Sequence, residues 1–234
     1  MEHIEIVYVD EDILVINKPA GILTIPDGYD PEKPFLTRLL REEFGRLWTV
    51  HRLDRDTSGV LLFARTPQAH RALNDQFEQR QVRKIYHLVT FGRLPHEEIE
   101  VNYPLMVNGD RRHRTVVDLS RGKPARTIFR HLCSLGREFS LVEAQPLSGY
   151  THQIRAHLTS IGLQILGDKL YKPHPISERY PTFLLPTDTP DFERVALHAY
   201  AMTFFHPSQS SREITVVASY PTDFSTLIEI LRCK

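Results

Sequence analysis

The 234-residue chain carries 29 Lys and Arg against 29 Asp and Glu, a formal net charge of zero, with 41% hydrophobic and 25% charged residues. These values exclude a disordered, fibrous or uniformly polycationic chain and leave an ordinary globular protein with a substantial core. The two cysteines, Cys133 and Cys233, have no metal-ligand spacing, no apolar run approaches the ~20 residues of a membrane span, and no leader-like start is present, so a reducing, cytoplasmic setting is expected.

In chain order, Ile4 to Pro19 reads as a hairpin of two Ile- and Val-rich strands turning at Asp10 to Asp12, with Pro19 closing the second. Phe35 to Phe44 places Phe35, Leu36, Leu39, Leu40 and Phe44 at helical spacing, with Gly45 as a stop. Val60 to Ala64 is an apolar run of strand length. Thr66 and Pro67 then read as an N-cap and first-turn proline of a helix with Leu73 and Phe77 inward.

Further strands are expected at Ile85 to Phe91, Thr127 to Cys133, Phe139 to Ala144, Leu197 to Phe205 and Arg212 to Ser219, without the regular helices of a βαβ fold. Between them Thr151 reads as the N-cap of a helix with Ile154, Leu158 and Ile161 as its buried stripe and Gly162 as its terminator. The proline-rich Lys172 to Arg194 predicts a surface loop, and Phe224 to Leu231 a closing helix. The pattern is α+β with a mixed, largely antiparallel sheet, organised as one domain over residues 1–234.

Charge is unevenly distributed. Arg111, Arg112, Arg114, Arg121, Lys123, Arg126, Arg130 and Arg137 face a single acid in their own segment, Asp118, whereas acids from Glu2 to Glu32 dominate the N-terminus. A polarised surface for an anionic partner is expected over an evenly mixed one.

The densest polar string, His51-Arg52-Leu53-Asp54-Arg55-Asp56-Thr57-Ser58-Gly59, ends where an apolar strand begins. Read alone, it is a polar turn whose side chains bond their own backbone and whose Gly59 supplies a positive φ, or a loop carrying a site. A metal site on His51, Asp54 and Asp56 lacks a third or fourth ligand from any other cluster.

HRLDRDTSGVLLFA resembles the HRLD-x-x-TSG catalytic motif of the RluA-type pseudouridine synthases. NKPAG (Asn17 to Gly21), RKIYHLV (Arg83 to Val89), GKPARTIF (Gly122 to Phe129), THQIRAHL with ILGDKLY (Thr151 to Tyr171) and LHAYAMTFFHP (Leu197 to Pro207) resemble successive blocks of that family, in order. The resemblance implies the pseudouridine synthase fold, an α+β domain with a central RNA-binding cleft, and a catalytic domain without the S4-like domain that members often carry. It implies that a uridine in RNA has its glycosidic bond broken and rejoined through C5, with no cofactor and no metal.

By the same resemblance Asp54 is the essential aspartate, Arg155 the arginine that pairs with it and keeps it ionised, and Tyr86 the tyrosine against the uracil ring. Arg52 is expected to enter the space left by a flipped base, and Lys84 to contact phosphate or the active site from the strand face of Tyr86. Lys18, Thr57, Tyr150 and His152, each inside a matched block, complete the expected RNA-contacting set. Gly149-Tyr150-Thr151 departs from the usual G-R-T, replacing a cation by an aromatic ring that can stack. The expected protein is a monomer acting on transfer or ribosomal RNA. Its rivals are a catalytically silent RNA-binding domain on the same scaffold and a metal-dependent hydrolase.

Overall fold

A computed structural model of the protein describes residues 4–28, 30, 32–176 and 192–232. The chain groups into two compact units, Met1–Lys84 with His198–Pro221 and Ile85–Leu197 with Thr222–Lys234.

The first unit opens on the expected hairpin. β1 (Glu5–Val9) pairs antiparallel with β2 (Ile13–Lys18), and the turn closes because Asp10 Oδ1 accepts the N–H groups of Asp12 and Ile13, both at 2.9 Å. Ile13, Leu14, Val15 and Ile16 are all fully buried, which accounts for an unbroken apolar run where a half-exposed strand would alternate.

The helix expected over 35–44 is instead two single turns, α1 (Leu36–Leu39) and α2 (Arg41–Phe44), joined at Leu40. Ten residues are too few to hold a helix without tertiary support, and only Leu36 and Leu40 are fully buried here. Gly45, at φ +71°, ends the segment as its position predicted.

After the short β3 (Trp48–Thr49) comes β4 (Ser58–Ala64), buried at every position and paired with β2 from Ile13↔Ala64 to Lys18↔Gly59. Thr66 caps α3 (Pro67–Glu78) by accepting Ala69 N–H at 3.1 Å, with Pro67 in the first turn. Leu73 and Phe77 face the cluster of Ile13, Val15, Val60 and Leu62, Leu73 wholly and Phe77 partly buried.

β5 (Arg83–Phe91) leads into the second unit, where the strand reading missed β6 (Glu98–Val101) and a two-stranded ribbon, β7 (Leu105–Met106) with β8 (Val116–Val117). β7 and β8 have two residues each, too few for a period, and β6 alternates as Glu-Ile-Glu-Val over only four residues. β9 (Thr127–Leu135) lies between β6 and β10 (Phe139–Pro146), and β10 pairs with β5, all antiparallel.

α4 (Gln153–Ser160) and β11 (Gln164–Ile165) follow, β11 lying against the end of β5. Residues 177–191 of the loop expected over Lys172–Arg194 lie outside the described residues.

The chain then returns to the first unit as β12 (Leu197–His206) and β13 (Gln209–Val217), an antiparallel pair. β12 pairs with β4 in parallel at His198↔Ser58 and Ala199↔Gly59, which makes the pairing mixed, as expected. His206 Nε2 meets Asp10 Oδ2 at 2.9 Å and ties the β12 end to the opening turn. α5 (Thr222–Arg232) closes the chain and packs against β9 with Phe224, Leu227, Ile228 and Leu231 buried.

Candidate active site

The loop between β3 and β4 holds the His51–Gly59 string, and neighbouring segments hold its backbone. Lys18, fully buried, donates its three ammonium protons to the carbonyls of Pro19, Arg55 and Thr57, each at 2.9 Å. Gly21 N–H also donates to Arg55 O at 2.9 Å, and Thr24 Oγ1 donates to Leu53 O at 3.3 Å. Lys18 and Gly21 of the NKPAG segment thus fasten the loop after Asp54, and Thr24, three residues beyond that segment, fastens it before Asp54. A tight turn, Thr57 N–H to Asp54 O at 3.1 Å, closes it internally.

Lys18, expected as an RNA contact, thus lies inside the protein, where its ammonium holds the loop backbone. Thr57 is likewise buried, 2% exposed, and its Oγ1 has no hydrogen-bond partner among the described residues. Arg52 is exposed and Asp54 half-buried, while Leu53 between them is buried and anchors the chain.

Two histidines support the same loop. Leu62 N–H donates to His51 Nε2 at 3.0 Å, and the His51 ring stacks on Phe77 with centroids 5.1 Å apart. Burial, and then the nearby Lys84 charge, push His51 down to about 3, so its ring is neutral with the proton on Nδ1. His51 therefore has its Nε2 lone pair engaged by the backbone, and among the described residues no three His, Cys, Asp or Glu gather as a metal site. His198, fully buried, bonds Ser58 Oγ through Nδ1 at 2.9 Å and Ala218 O through Nε2 at 3.1 Å.

Gly59, at φ +114°, lies against Ala199, whose carbonyl a Cβ would strike. The polar-turn reading was right about that positive φ and about an internal turn at Asp54 O, but Ser58 and the carbonyls of Leu53, Arg55 and Thr57 bond to other segments.

Lys84 and Tyr86 stand two residues apart on β5 and so on one face, Tyr86 half-buried opposite Ala144 of β10. Burial lowers the Lys84 ammonium to about 8.

In the second unit α4 starts one residue later than expected. His152, not Thr151, is the N-cap, in the left-handed region at φ +56°, and no side chain caps the first turn. All eight residues of α4 are buried, so the three-residue stripe understates how deep the helix lies. Its polar members are consequently bonded. Gln153 accepts from Ser148 Oγ at 2.8 Å and Tyr150 N–H at 3.3 Å, and donates to Arg126 O at 2.9 Å and Thr127 Oγ1 at 3.0 Å. His157 donates from Nε2 to Tyr103 O at 2.8 Å and meets Thr127 Oγ1 with Nδ1 at 2.9 Å, its pKa pushed down to about 4 by burial.

Arg155, only 8% exposed, forms a bidentate pair with Asp168: Nε to Oδ2 at 2.7 Å and Nη2 to Oδ1 at 2.8 Å. Its guanidinium lies over the Tyr171 ring, 4.8 Å from the centroid. The Tyr171 hydroxyl accepts Thr115 N–H at 2.9 Å and bonds His152 Nδ1 at 3.1 Å. Tyr150 is half-buried against the cluster of Leu105, Ala125, Ala156 and Tyr171, so the ring standing in place of the usual arginine packs on neighbouring side chains. Asp168 and Tyr171 were legible only as letters of ILGDKLY, and nothing in their spacing assigned them to Arg155.

The basic segment is less available than its composition suggests. Arg126 pairs with Glu100 at 2.6 Å, and Arg130 with Glu98 at 2.5 Å and Glu143 at 2.9 Å, partners brought alongside by β6 and β10. Arg114 pairs with Asp110 at 2.7 Å and Arg121 with Asp118 at 3.1 Å. Arg111 and Arg112 remain exposed at the turn joining β7 to β8.

Fold and loop together describe an α+β protein in which the backbone on either side of Asp54 is hydrogen-bonded to other segments. Residues 12–160 match the family model described as RNA pseudouridylate synthase. The chain is 34% identical over 205 residues to the dual-specificity RNA pseudouridine synthase RluA of Pasteurella multocida, covering 88% of each protein. It is also 34% identical over 238 residues to the ribosomal large subunit pseudouridine synthase D of Zymomonas mobilis, covering 97% of this chain and 73% of that one. Among solved structures it resembles human RNA pseudouridylate synthase domain containing 4, with TM-score 0.76 and 27% identity over 97% of this chain and 93% of that one. The chain belongs to the RNA pseudouridine synthases, of the RluA type. It is an isomerase acting on RNA. No helix among the described residues is long and apolar enough to cross a membrane.

Proposed function

We propose that this synthase converts specific uridines of structured transfer or ribosomal RNA to pseudouridine, with Asp54 as its catalytic carboxylate. It does so as a cytoplasmic monomer without cofactor or metal, the whole chain serving as one catalytic domain. The carrying observation is the loop: the backbone is pinned at Leu53, Arg55 and Thr57 by Thr24, Gly21 and Lys18, while the Asp54 side chain between them stays half-buried. A group held in this way has little conformational freedom to lose on reaching the reactive geometry. Attack on the sugar and removal of a sugar proton both require the ionised form, so Asp54 serves either course of the reaction. Tyr86 and Arg155 take the supporting roles that the family resemblance gives them. Arg52 and Lys84 are assigned to the RNA. The family match at residues 12–160 runs across the boundary between the two units, which supports reading them as one catalytic domain.

Its relatives include a dual-specificity RNA pseudouridine synthase and a pseudouridine synthase of the large ribosomal subunit, so more than one class of RNA is open as the target. Mapping pseudouridine in total RNA with and without the gene identifies the target of this chain. The test of Asp54 is Asp54→Asn, which keeps the shape and removes the charge. The variant should fold, bind RNA at close to wild-type strength, and release no tritium from uridine labelled at C5. Release near the wild-type rate would remove Asp54 from the mechanism.

A further inference from the structure

We propose that Asp168 is a positioning residue for the isomerisation, acting through Arg155 by fixing the orientation and charge balance of its guanidinium. The inference rests on the reading that Arg155 serves the reaction. Asp168 takes the Nε–Nη2 edge of Arg155 with both carboxylate oxygens, at 2.7 and 2.8 Å, and so fixes the plane and direction of the guanidinium. The flat face of the guanidinium rests on Tyr171, 4.8 Å from the ring centroid. An arginine held along one edge and one face has few rotamers left.

The clamp is itself held. Asp168 Oδ1 also accepts Leu170 N–H at 2.9 Å and Tyr171 N–H at 3.0 Å, and its own carbonyl accepts Gln164 Nε2 at 2.8 Å. Gly167 before it, at φ +73°, lies so close to the carbonyls of Phe192 and Arg194 that a Cβ has no room. The Tyr171 hydroxyl is fastened to Thr115 and His152. Stability alone does not account for this arrangement. Exchanging a buried ion pair for apolar side chains is often neutral or stabilising, yet here the Asp168 side chain is 1% and the Arg155 side chain 10% exposed. An oriented arginine whose charge is already balanced is what a reaction centre needs and a core does not.

The test uses the full chain and bulk RNA from cells lacking the enzyme, labelled with tritium at uridine C5. Asp168→Asn keeps the acceptor for Leu170 and Tyr171 but loses the charged fork. It should lower kcat at least ~10-fold while KM stays within ~3-fold, a split that general loosening of the fold would not give. In an Arg155→Ala background the same change should alter kcat by less than about 2-fold, because its effect passes through Arg155. Wild-type kcat in Asp168→Asn beside a damaged Arg155→Ala overturns the proposal alone, as do effects that multiply independently. Wild-type turnover in Arg155→Ala overturns the reading of Arg155, and the proposal with it. Should Asp168→Asn not fold, Tyr171→Leu removes the aromatic face instead: a roughly 3- to 10-fold lower kcat, absent in the Arg155→Ala background, supports the clamp, and an unchanged kcat overturns it.

Discussion

Lys84 stands two residues before Tyr86 on β5, and burial lowers its ammonium to about 8. Its folded-state value lies below the ordinary lysine value, so between about pH 8 and 10.4 the unfolded chain binds the extra proton. Stability therefore rises with pH through that window, and below it the cost of holding the half-buried amine charged is fully present. Lys84→Met should lose this rise, so its stability relative to wild type falls as pH passes 8 toward 10.4. Denaturant unfolding at stepped pH checks this. If Lys84 meets a phosphate, RNA binding near pH 8 should take up a proton that Lys84→Met does not, measurable by calorimetry in buffers of different ionisation heat. Asp54→Asn belongs to the same scale, separating lost turnover from retained binding.

Strand β4 places the end of the loop that carries Asp54 by its parallel contact with β12. At that contact Gly59 holds φ +114° with the Ala199 carbonyl against it, so Gly59→Ala must both strain the backbone and push β12 away. The expected cost is roughly 3 kcal/mol, a fall in Tm of about 6–12 °C for a chain of this size, with turnover falling further than stability as the loop loses its register. Ser58→Ala, which removes only the hydroxyl that meets His198, should cost about 1 kcal/mol. Thermal melts and tritium release on both variants distinguish a register requirement from a lost hydrogen bond.

For the molecule as a whole, acid stability is set in part by two histidines that remain neutral, His157 fully buried and His51 half-buried. His51 is held at about 3 and His157 at about 4, both below the ordinary value near 6.5. The unfolded chain thus binds more protons as pH falls from 6.5, and unfolding should become easier by close to 3 kcal/mol per pH unit between about pH 6 and 4.5. His51→Gln should roughly halve that slope. Long-range charge gives a second expectation. Arg126 and Arg130 are already matched by Glu98, Glu100 and Glu143, whereas Arg111 and Arg112 are exposed. Arg111→Ala with Arg112→Ala should reduce the slope of log affinity for RNA against log salt by roughly 1 to 2, and Arg126→Gln should leave it unchanged.

The sequence by itself determined whatever depends on near neighbours in the chain. The Asp10 turn, the Thr66–Pro67 start of α3, the Gly45 stop and the long strands were legible because capping, turn closure and apolar runs are local, and the HRLD-x-x-TSG string was legible because its residues are contiguous. Tertiary structure decided the rest. The periodicity of 35–44 could not show that too little of it would be buried to keep one helix, and the Arg111–Arg137 window could not show acids from β6 and β10 arriving beside its arginines. Nothing near Lys18 in the chain shows that three carbonyls, two of them more than 35 residues away, converge on its ammonium. Arg155 and Asp168 carry no mark of each other in the chain. Their pairing is made only where the buried helix α4 meets the segment after β11, and burial of that kind is a property of the packed fold.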